Sequence, residues 1–573
     1  MENGEVMNFV QGYLPVVVRS SSSSMLLWPS RVVETLEKLS GGPQNSKVDS
    51  GESLFLAISD LRHNLSLRQG LASSAGHGYT LFFDQLMSRG QAEKWFGEVV
   101  PELASLLLRL PSLLEAHYQR PCPQSHPYNK CGPSHGLKTS LRLLESQQSG
   151  MVIMTQELIG ALLACSFFCL FPITNRAAKR LPTINFDYLF ASLYDSYTAK
   201  QENKIKCITH YFVRICTCMP VGVVSFERKV LSLDDNPSCN YYPKADFWSR
   251  SSMPLCHFKV YMSGFIEDQS CEAIEVDFAN KYLGGGTLHR GCLQEEIRFV
   301  INPELIAGML FLPSMADNET IEIVGAERFS NYSGYGFSFC FAGDHVDQRD
   351  FDLVGRRKTR IIAMDALSSP GERQFGLDCL IREINKAFCG FFDQSKFQQY
   401  QELFHSDEFC KASPCQDLSQ DLKHPVDILR NSILFHEAPA MLSGSDKGMS
   451  LDQLMNSLEE KCSQLVDHEH QIGIATGNWG CGAFGGDPEL KATLQWLAAS
   501  EALRPFISYY TFGVEALQTL EQVTHWILSH EWTVGELWNM LVDYSSQRLK
   551  GETNIGFFRW LLPSLFTGTD AMP

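Results

Sequence analysis

Apolar residues follow two different spacings along the 573-residue chain. Before about residue 200 they recur every three or four positions, as in Val32, Leu36 and Leu39 and again from Leu103 to Leu110. This spacing is typical of amphipathic helices, so residues 1–203 are predicted to be a helical region. The apolar run 158–171, followed by Pro172, predicts a buried helix that is too short to span a membrane.

Short runs rich in Val, Ile and aromatic residues replace this pattern after about residue 204. They predict strands at 210–215, 221–226, 257–260, 273–276, 321–324, 360–363 and 507–511. Helical stretches lie between them, at 377–388 and 490–500. Strands that alternate with helices predict an α/β domain over 204–573, with a parallel or mixed sheet. Ligands of such sheets bind where loops leave the carboxyl ends of the strands.

Residues 404–471 interrupt the second domain with polar, acidic sequence of weak periodicity. We expect a partly mobile insertion there, with one helix at 451–465. His468, Glu469 and His470 lie within it. No third and fourth metal ligand accompanies them, so we expect solvated side chains and no metal site.

Composition restricts the classes of function. The chain is 44% hydrophobic and 20% charged, as in soluble globular proteins, and its net charge of −17 argues against a direct grip on nucleic acid. A polyanionic substrate would then be bound through one unit or one end, in a confined pocket. The 18 cysteines contain no CxxC pair, and the acidic N-terminus resembles no secretory signal. We therefore expect reduced thiols in an intracellular protein without a membrane segment.

The most informative stretch runs from Val276 to Glu296. A strand ends near Asp277 and Asn280, three glycines follow at 284–286, and Glu295 and Glu296 open a helix. Glycines let the backbone approach a ligand, and their N–H groups are able to cradle phosphate. A carboxyl beside a bound sugar acts as a general acid or base, and a neighbouring carboxylate raises its pKa. The residues alone do not decide which glutamate is the acid.

A second glycine-rich run, 480–486, lies between a predicted strand and the helix after Pro488. Its N–H groups are candidates for a diphosphate site, although an ordinary strand-to-helix turn explains the same pattern. No GK[ST] follows it, so it is not a Walker loop.

The ordered string of GGG, a seven-residue spacer and QEE resembles the signature of poly(ADP-ribose) glycohydrolases. The resemblance extends to 266–268, 299–312, 324–335, 476–487 and 510–513, and to QELIGALLACSFFCLFP at 156–172. It therefore covers nearly the whole chain except the insertion. The MENGE start and the early serine run, 20–24, are most similar to plant members.

The resemblance implies a macrodomain, a three-layer α/β/α fold with a mixed sheet, preceded by an all-helical accessory region. It implies Glu296 as the catalytic acid, Glu295 as its neighbour on the ribose hydroxyls, and Asp277 as the third acidic residue. The substrate-binding residues that it implies are Ile266 and Glu267 at the adenine, Asn280 and Gln294 at the riboses, Gly284, Gly285 and Gly286 in the loop, Asn478, Gly482, Ala483 and Phe484 in the second glycine run, and Tyr335 and Phe512 as aromatic walls.

The activity implied is hydrolysis of ribose–ribose bonds in poly(ADP-ribose), mainly at chain ends, with ADP-ribose as product. Poly(ADP-ribosyl)ated proteins are the implied partners, the last, protein-linked ribose is left behind, and no metal or redox cofactor is implied. A macrodomain that binds ADP-ribose without cleaving it is the alternative, and the glutamate pair favours the enzyme. We further expect a monomer in nucleus and cytoplasm. Cys292 is interpreted as a spacer. His289 is interpreted as a solvated side chain, with a substrate contact as the alternative, and Arg356–Arg360 as a solvated basic loop, a nuclear address or a polymer contact.

Overall fold

The computed structural model describes residues 2–18, 25–119, 139–233, 241–268, 272–393 and 472–566. The serine run, the predicted insertion 404–471 and its histidines lie outside these ranges. Within them, none of the helices combines the length and the apolar character needed to cross a bilayer.

Eight strands of the described chain form one mixed sheet in the order β3-β4-β7-β10-β6-β11-β12-β5. Its strands are β3 (Gly150–Thr155), β4 (Val223–Val230), β5 (His257–Tyr261), β6 (Ala273–Ala279), β7 (Glu319–Val324), β10 (Arg360–Asp365), β11 (Gly473–Gly477) and β12 (Phe506–Tyr510). Two small antiparallel pairs lie outside it, β1 (Val17–Val18) with β2 (Leu26–Leu27) and β8 (Ser330–Ser333) with β9 (Cys340–Asp344).

The five strands from β10 to β5 are parallel, whereas β7, β4 and β3 pair antiparallel to their neighbours. Strands β6, β11 and β12 are adjacent, so their carboxyl ends meet at one edge. The loops that follow them carry the three glycines, the second glycine run and Phe512. The expected mixed α/β sheet is confirmed in this arrangement, and ligand binding at this edge stays a prediction.

Helices cover both faces of the sheet. Those of the described residues are α1 (Glu2–Tyr13), α2 (Ser30–Ser40), α3 (Pro43–Ser46), α4 (Gly51–Asn64), α5 (Ala75–Thr80), α6 (Arg89–Lys94), α7 (Val100–Gln119), α8 (Gln156–Phe167), α9 (Asp187–Asp195), α10 (Ala199–Thr217), α11 (Ala245–Arg250), α12 (Gln294–Ile301), α13 (Leu377–Phe391), α14 (Pro488–Glu501), α15 (Leu520–Ser529), α16 (Val534–Lys550) and α17 (Phe557–Leu561). Shorter 3-10 segments include Ile266–Asp268, Pro303–Leu310 and Gly336–Ser338.

Alternate residues of the strands face two different cores, as the two-residue period of a strand requires. On β10, Ile361 and Ala363 belong to the core shared with the helical region, and Ile362 and Met364 belong to the core beneath α13 and α14. The result is a three-layer α/β/α arrangement. One apolar core joins the helical region to the first face of the sheet, so the two regions pack as a continuous unit.

Two expectations about the first half of the chain are wrong. Residues 210–215 were predicted as a strand but lie inside helix α10, which also passes the proposed boundary at residue 203. The accessory region is not all-helical, because β3 forms the edge of the large sheet beside β4. Aromatic and β-branched residues raise strand propensity locally, but burial of one helical face of α10 in the core overrides that preference.

Candidate active site

The end of β6 and the start of α12 are held together by Gln294. Its Oε1 accepts a hydrogen bond from the Phe278 N–H at 2.8 Å, and its Nε2 donates to the Val276 carbonyl at 3.1 Å. These bonds fix the first turn of α12 against the strand, and therefore fix the two glutamates that follow. The expected ribose contact of Gln294 would compete with them and stays a prediction.

Glu295 anchors the glycine loop. Its side chain is buried, with Oε2 accepting from the Asn280 N–H at 2.8 Å and Oε1 from the Gly284 N–H at 2.7 Å. Burial, and then the charges of Asp277 and Glu296, raise the pKa of Glu295 well above its ordinary value. Because its side chain is buried, Glu295 is poorly placed to reach a substrate oxygen.

Glu296 is the more exposed of the two glutamates. Its Oε1 accepts from the Gly286 N–H at 2.9 Å, and its Oε2 accepts from the Leu293 N–H at 2.7 Å. The second bond provides an acceptor for the backbone N–H of Leu293, the residue that precedes α12. Successive helix residues point about 100° apart, so the neighbours do not share a role. The backbone thus presents one carboxyl at the edge of the sheet and buries the other.

Asp277 lies on β6 with only 1% of its surface exposed, and neither carboxyl oxygen has a hydrogen-bond partner among the described residues. Burial raises the pKa of Asp277 to about 8, the charge of Arg298 opposes this rise, and the charge of Glu296 adds to it. Burial therefore opposes ionisation of two carboxyls beside Glu296 and raises the pKa of both.

The N–H groups of the three glycines point into the protein. Gly284 and Gly286 donate to the glutamates, and Gly285 donates to the Tyr282 carbonyl at 3.0 Å. The suggestion that these N–H groups cradle phosphate is therefore wrong. Gly285 has φ +47°, and a Cβ there would lie 2.5 Å from Glu295 Oε2 and 2.8 Å from Glu296 Oε1. A glycine is needed because the backbone passes directly over both carboxyls.

The two predicted asparagines brace loops at the same edge. Asn280 Oδ1 accepts from the Tyr282 N–H at 3.0 Å. Asn478 donates to the Thr511 carbonyl at 2.9 Å and accepts from the Tyr509 hydroxyl at 3.1 Å. Asn478 thereby fastens the loop after β11 to the end of β12.

The second glycine run, 480–486, differs from the first in having backbone N–H groups without an acceptor among the described residues. Gly482 and Ala483 are exposed, and the N–H groups of 482, 483 and 484 donate to no acceptor within the described part of the chain. The Phe484 carbonyl accepts from the Ser369 N–H at 2.9 Å, which holds the loop in place. Three consecutive N–H groups without an acceptor match the requirement of a diphosphate.

Two aromatic residues stand at the open edge. Tyr335 is 56% exposed, and its pKa is raised by burial, with a hydrogen bond from the Gln294 N–H partly offsetting the rise. Phe512 is 47% exposed at φ +51°, a conformation that a bulky residue seldom adopts. Strain of this kind concentrates at functional sites, and here it turns a ring outwards beside β12.

The predicted adenine residues lie deeper than these rings. Ile266 is buried against Ala273, Ala475 and Tyr510. Glu267 accepts from the Tyr332 hydroxyl at 2.6 Å and lies 3.9 Å from the Arg298 guanidinium. Ile266 lies against Tyr510 at the end of β12, whereas the carboxylate of Glu267 is already engaged, so base recognition by these residues stays a prediction.

Comparison with known proteins adds a second kind of evidence. The family model described as the macro domain fold of poly(ADP-ribose) glycohydrolase matches residues 245–519, and the model for its helical domain matches residues 87–228. Poly(ADP-ribose) glycohydrolase 1 of Arabidopsis thaliana is 55% identical over 572 residues, which is 100% of both chains. This chain belongs to the poly(ADP-ribose) glycohydrolase family.

More distant relatives agree. Probable poly(ADP-ribose) glycohydrolase 2 of the same plant is 52% identical over 557 residues, 97% of this chain and 98% of that protein. Poly(ADP-ribose) glycohydrolase 1 of Caenorhabditis elegans is 29% identical over 361 residues, 62% of this chain and 37% of that protein. The resemblance drawn from the sequence, including its likeness to plant members and the macrodomain fold, is confirmed.

The sequence analysis did not identify two cationic residues of the site, Arg298 and Lys204. Arg298, one turn after Glu295, forms an ion pair with Glu275 and moderates the pKa of Asp277. Lys204 on α10 is buried beneath the glycine loop. Lys204 is a charged residue within the apolar face of α10, which marks it as unusual. This face is recognised only when residues 210–215 are assigned to a helix and not to a strand.

The remaining candidates have structural partners. Burial raises the pKa of Cys292 to about 11, which agrees with a spacer and not a thiolate nucleophile. The His289 ring is half-buried 4.7 Å from that of Tyr188, so the expectation that it is simply solvated is wrong. The basic run after residue 355 is built into ion pairs and does not form a free basic loop: Arg356 with Asp352, Arg357 with Glu327, Lys358 with Glu272 and Arg360 with Glu322.

Proposed function

We propose that this chain hydrolyses the O-glycosidic ribose–ribose bonds of poly(ADP-ribose) and releases ADP-ribose. The observation that carries the proposal is Glu296, an accessible carboxyl held by two backbone N–H groups at the carboxyl edge of the sheet. Membership of the family supports the same activity.

Glu296 acts on both sides of the bond that breaks. In its protonated form it donates to the departing ribose oxygen while positive charge develops at the anomeric carbon. The resulting carboxylate then takes a proton from the attacking water. Its two N–H donors hold it in one orientation through both steps. A carboxyl group and a water molecule are sufficient for this chemistry.

The other two carboxyls assist without touching the bond. Glu295 fixes the loop through Asn280 and Gly284. Burial raises the pKa of Asp277 to about 8, which limits the negative charge beside Glu296 at neutral pH. Less negative charge nearby makes the Glu296 carboxylate easier to form when it gives up its proton.

We place the substrate across the three adjacent loops. The diphosphate lies on the N–H groups of 482–484, and the rings of Tyr335 and Phe512 flank the nucleotide. The ribose next to the bond lies between Asn280 and Glu296, and Ile266 lines the adenine end. Each assignment is supported by its position at the carboxyl edge.

We further propose that cleavage starts at chain ends and that the protein is a monomer. A net charge of −17 gives it little means of holding a long polyanion. Poly(ADP-ribosyl)ated proteins in nucleus and cytoplasm are the proposed targets, with the protein-linked ribose left in place. Imaging of the tagged chain and light scattering test location and oligomeric state.

Product analysis tests the activity and its mode together. Purified poly(ADP-ribose) of defined length is incubated with the protein, and products are separated by chain length at early times. Monomeric ADP-ribose from the first time point is expected. Long oligomers at early times would contradict cleavage at chain ends, and binding of ADP-ribose without any product would indicate a reader.

A further inference from the structure

Loop 286–291, which contacts Glu296, is held by a buried lysine on α10. Lys204 is fully buried on α10, and its ammonium donates to the carbonyls of Gly286 at 3.4 Å, His289 at 2.8 Å and Gly291 at 2.6 Å. An ammonium has three protons to donate, so these three acceptors saturate it. Gln201, one turn earlier, adds a bond to the same His289 carbonyl at 3.0 Å.

The opposite side of this loop holds Glu296. Gly286 donates its N–H to Glu296 Oε1, and a Cβ at Gly291 would lie 2.6 Å from that oxygen. The loop also closes on itself, because the Gly291 N–H donates to the Gly286 carbonyl at 3.1 Å. The carbonyls of this short turn therefore accept from Lys204, and its Gly286 N–H donates to Glu296. A displacement of the turn at Lys204 would consequently displace Glu296.

Lys204 has no carboxylate within ion-pair distance among the described residues, in contrast to most buried cations of this protein. Its charge is compensated by loop carbonyls, with Glu296 and Cys292 acting at longer range. Burial lowers the pKa of Lys204 to about 8, so it remains largely protonated at neutral pH. Three hydrogen bonds from one buried charge to a single six-residue turn indicate that the position of this turn is important for the site.

We propose that Lys204 is a positioning residue, which holds loop 286–291 so that Glu296 faces the glycosidic oxygen. The inference rests on the proposed function. It also gives the helical domain, which the family model matches at residues 87–228, a part in catalysis, because α10 lies within that match. The macrodomain portion contributes the acid, and the helical portion contributes the support that fixes the acid.

The test compares full-length variants. Lys204→Met removes the three hydrogen bonds, whereas Lys204→Gln keeps two donors without the charge. Lys206→Met is the matched control, since the Lys206 side chain is 40% exposed on the same helix and forms an ion pair with Glu202 on that helix. We expect kcat for ADP-ribose release to fall about 100-fold in the Met variant and less in the Gln variant, since a misplacement of about 1 Å costs about that much. The control should match wild type.

Two readouts separate positioning from mere stability. The dissociation constant of ADP-ribose should stay within about threefold of wild type, because the loop supplies no phosphate contact. Combining Lys204→Met with Glu296→Gln should reduce the rate no further than Glu296→Gln alone, as expected when one residue acts through the other. An additive loss, or a parallel loss of ADP-ribose binding, would overturn the proposal.

A milder variant covers the possibility that Lys204→Met does not fold. Gln201→Met removes one neutral hydrogen bond to the same loop and should lower kcat severalfold with unchanged ADP-ribose binding. If folded Lys204→Gln and Gln201→Met both kept the wild-type kcat, the positioning role of Lys204 would be refuted, and the proposed function would be unaffected. If the wild-type protein released no ADP-ribose, the proposed function would fail, and the role of Lys204 with it.

Discussion

Replacing Gly285 by alanine tests how tightly the backbone is fitted to the two glutamates. The added Cβ would lie 2.5 Å from Glu295 Oε2 and 2.8 Å from Glu296 Oε1. Ordinary van der Waals contact begins at 3.4 Å, so the oxygens must retreat by about 0.6–0.9 Å. The residue would also have to adopt φ +47°, which costs a non-glycine residue about 1–2 kcal/mol.

These two effects predict different losses. Backbone strain lowers stability, and about 2–4 °C of Tm per kcal/mol is expected for a large domain. Displacement of the acid lowers the rate, and a misplacement of about 1 Å costs about 100-fold. Gly285→Ala should therefore release ADP-ribose about 100-fold more slowly than wild type, with a Tm only a few degrees lower.

Gly551→Ala is the matched control for strain. Gly551 has φ +73° at the end of α16, and a Cβ there would meet nothing within 4 Å. This variant should lose a similar amount of Tm and keep its kcat. Rates are measured under single turnover well below either Tm. A wild-type rate in Gly285→Ala would refute the idea that this loop fixes the acid.

Three further predictions concern single side chains. Asp277→Asn should raise the free energy of unfolding more at pH 8.5 than at pH 4. Burial raises the folded-state pKa of Asp277 to about 8, so the unfolded chain ionises this carboxyl first and the wild type loses stability as pH rises between these values; equal effects at both pH values in denaturant titrations would contradict this. Tyr335→Ala should weaken ADP-ribose binding about tenfold by calorimetry through lost ring packing, whereas Phe351→Ala, a comparably exposed ring elsewhere, should not. Cys292→Ala should keep kcat within about threefold, and a complete loss would point to a nucleophilic thiol, against its raised pKa.

The central strands were predictable because they are short, doubly buried and bounded by loops. Strand β6 and helix α12 follow directly from the run that ends in Asp277 and from the glutamates at a helix start. Segment 210–215 was not predictable from its own residues, because its helical form depends on a face shared with Gln201 and Ile205. Local propensity is a weak guide where tertiary packing decides.

The candidate site shows the same limit at finer scale. The resemblance singled out Glu296 as the predicted acid. It could not give the direction of the glycine N–H groups, which depends on the path of the loop over Glu295. The left-handed conformation of Phe512 leaves no trace in its sequence, since phenylalanine is unsuited to it. Lys204 is distant in sequence from the loop it supports, so only the folded chain brings them together.

The most direct test of the account compares wild type with Glu296→Gln. Release of ADP-ribose from purified poly(ADP-ribose) is measured at equal protein concentration, together with ADP-ribose binding by both proteins. We predict release by wild type, a rate lower by at least about 100-fold in Glu296→Gln, and similar binding by the two. Release at the wild-type rate by Glu296→Gln would contradict the assignment of the acid.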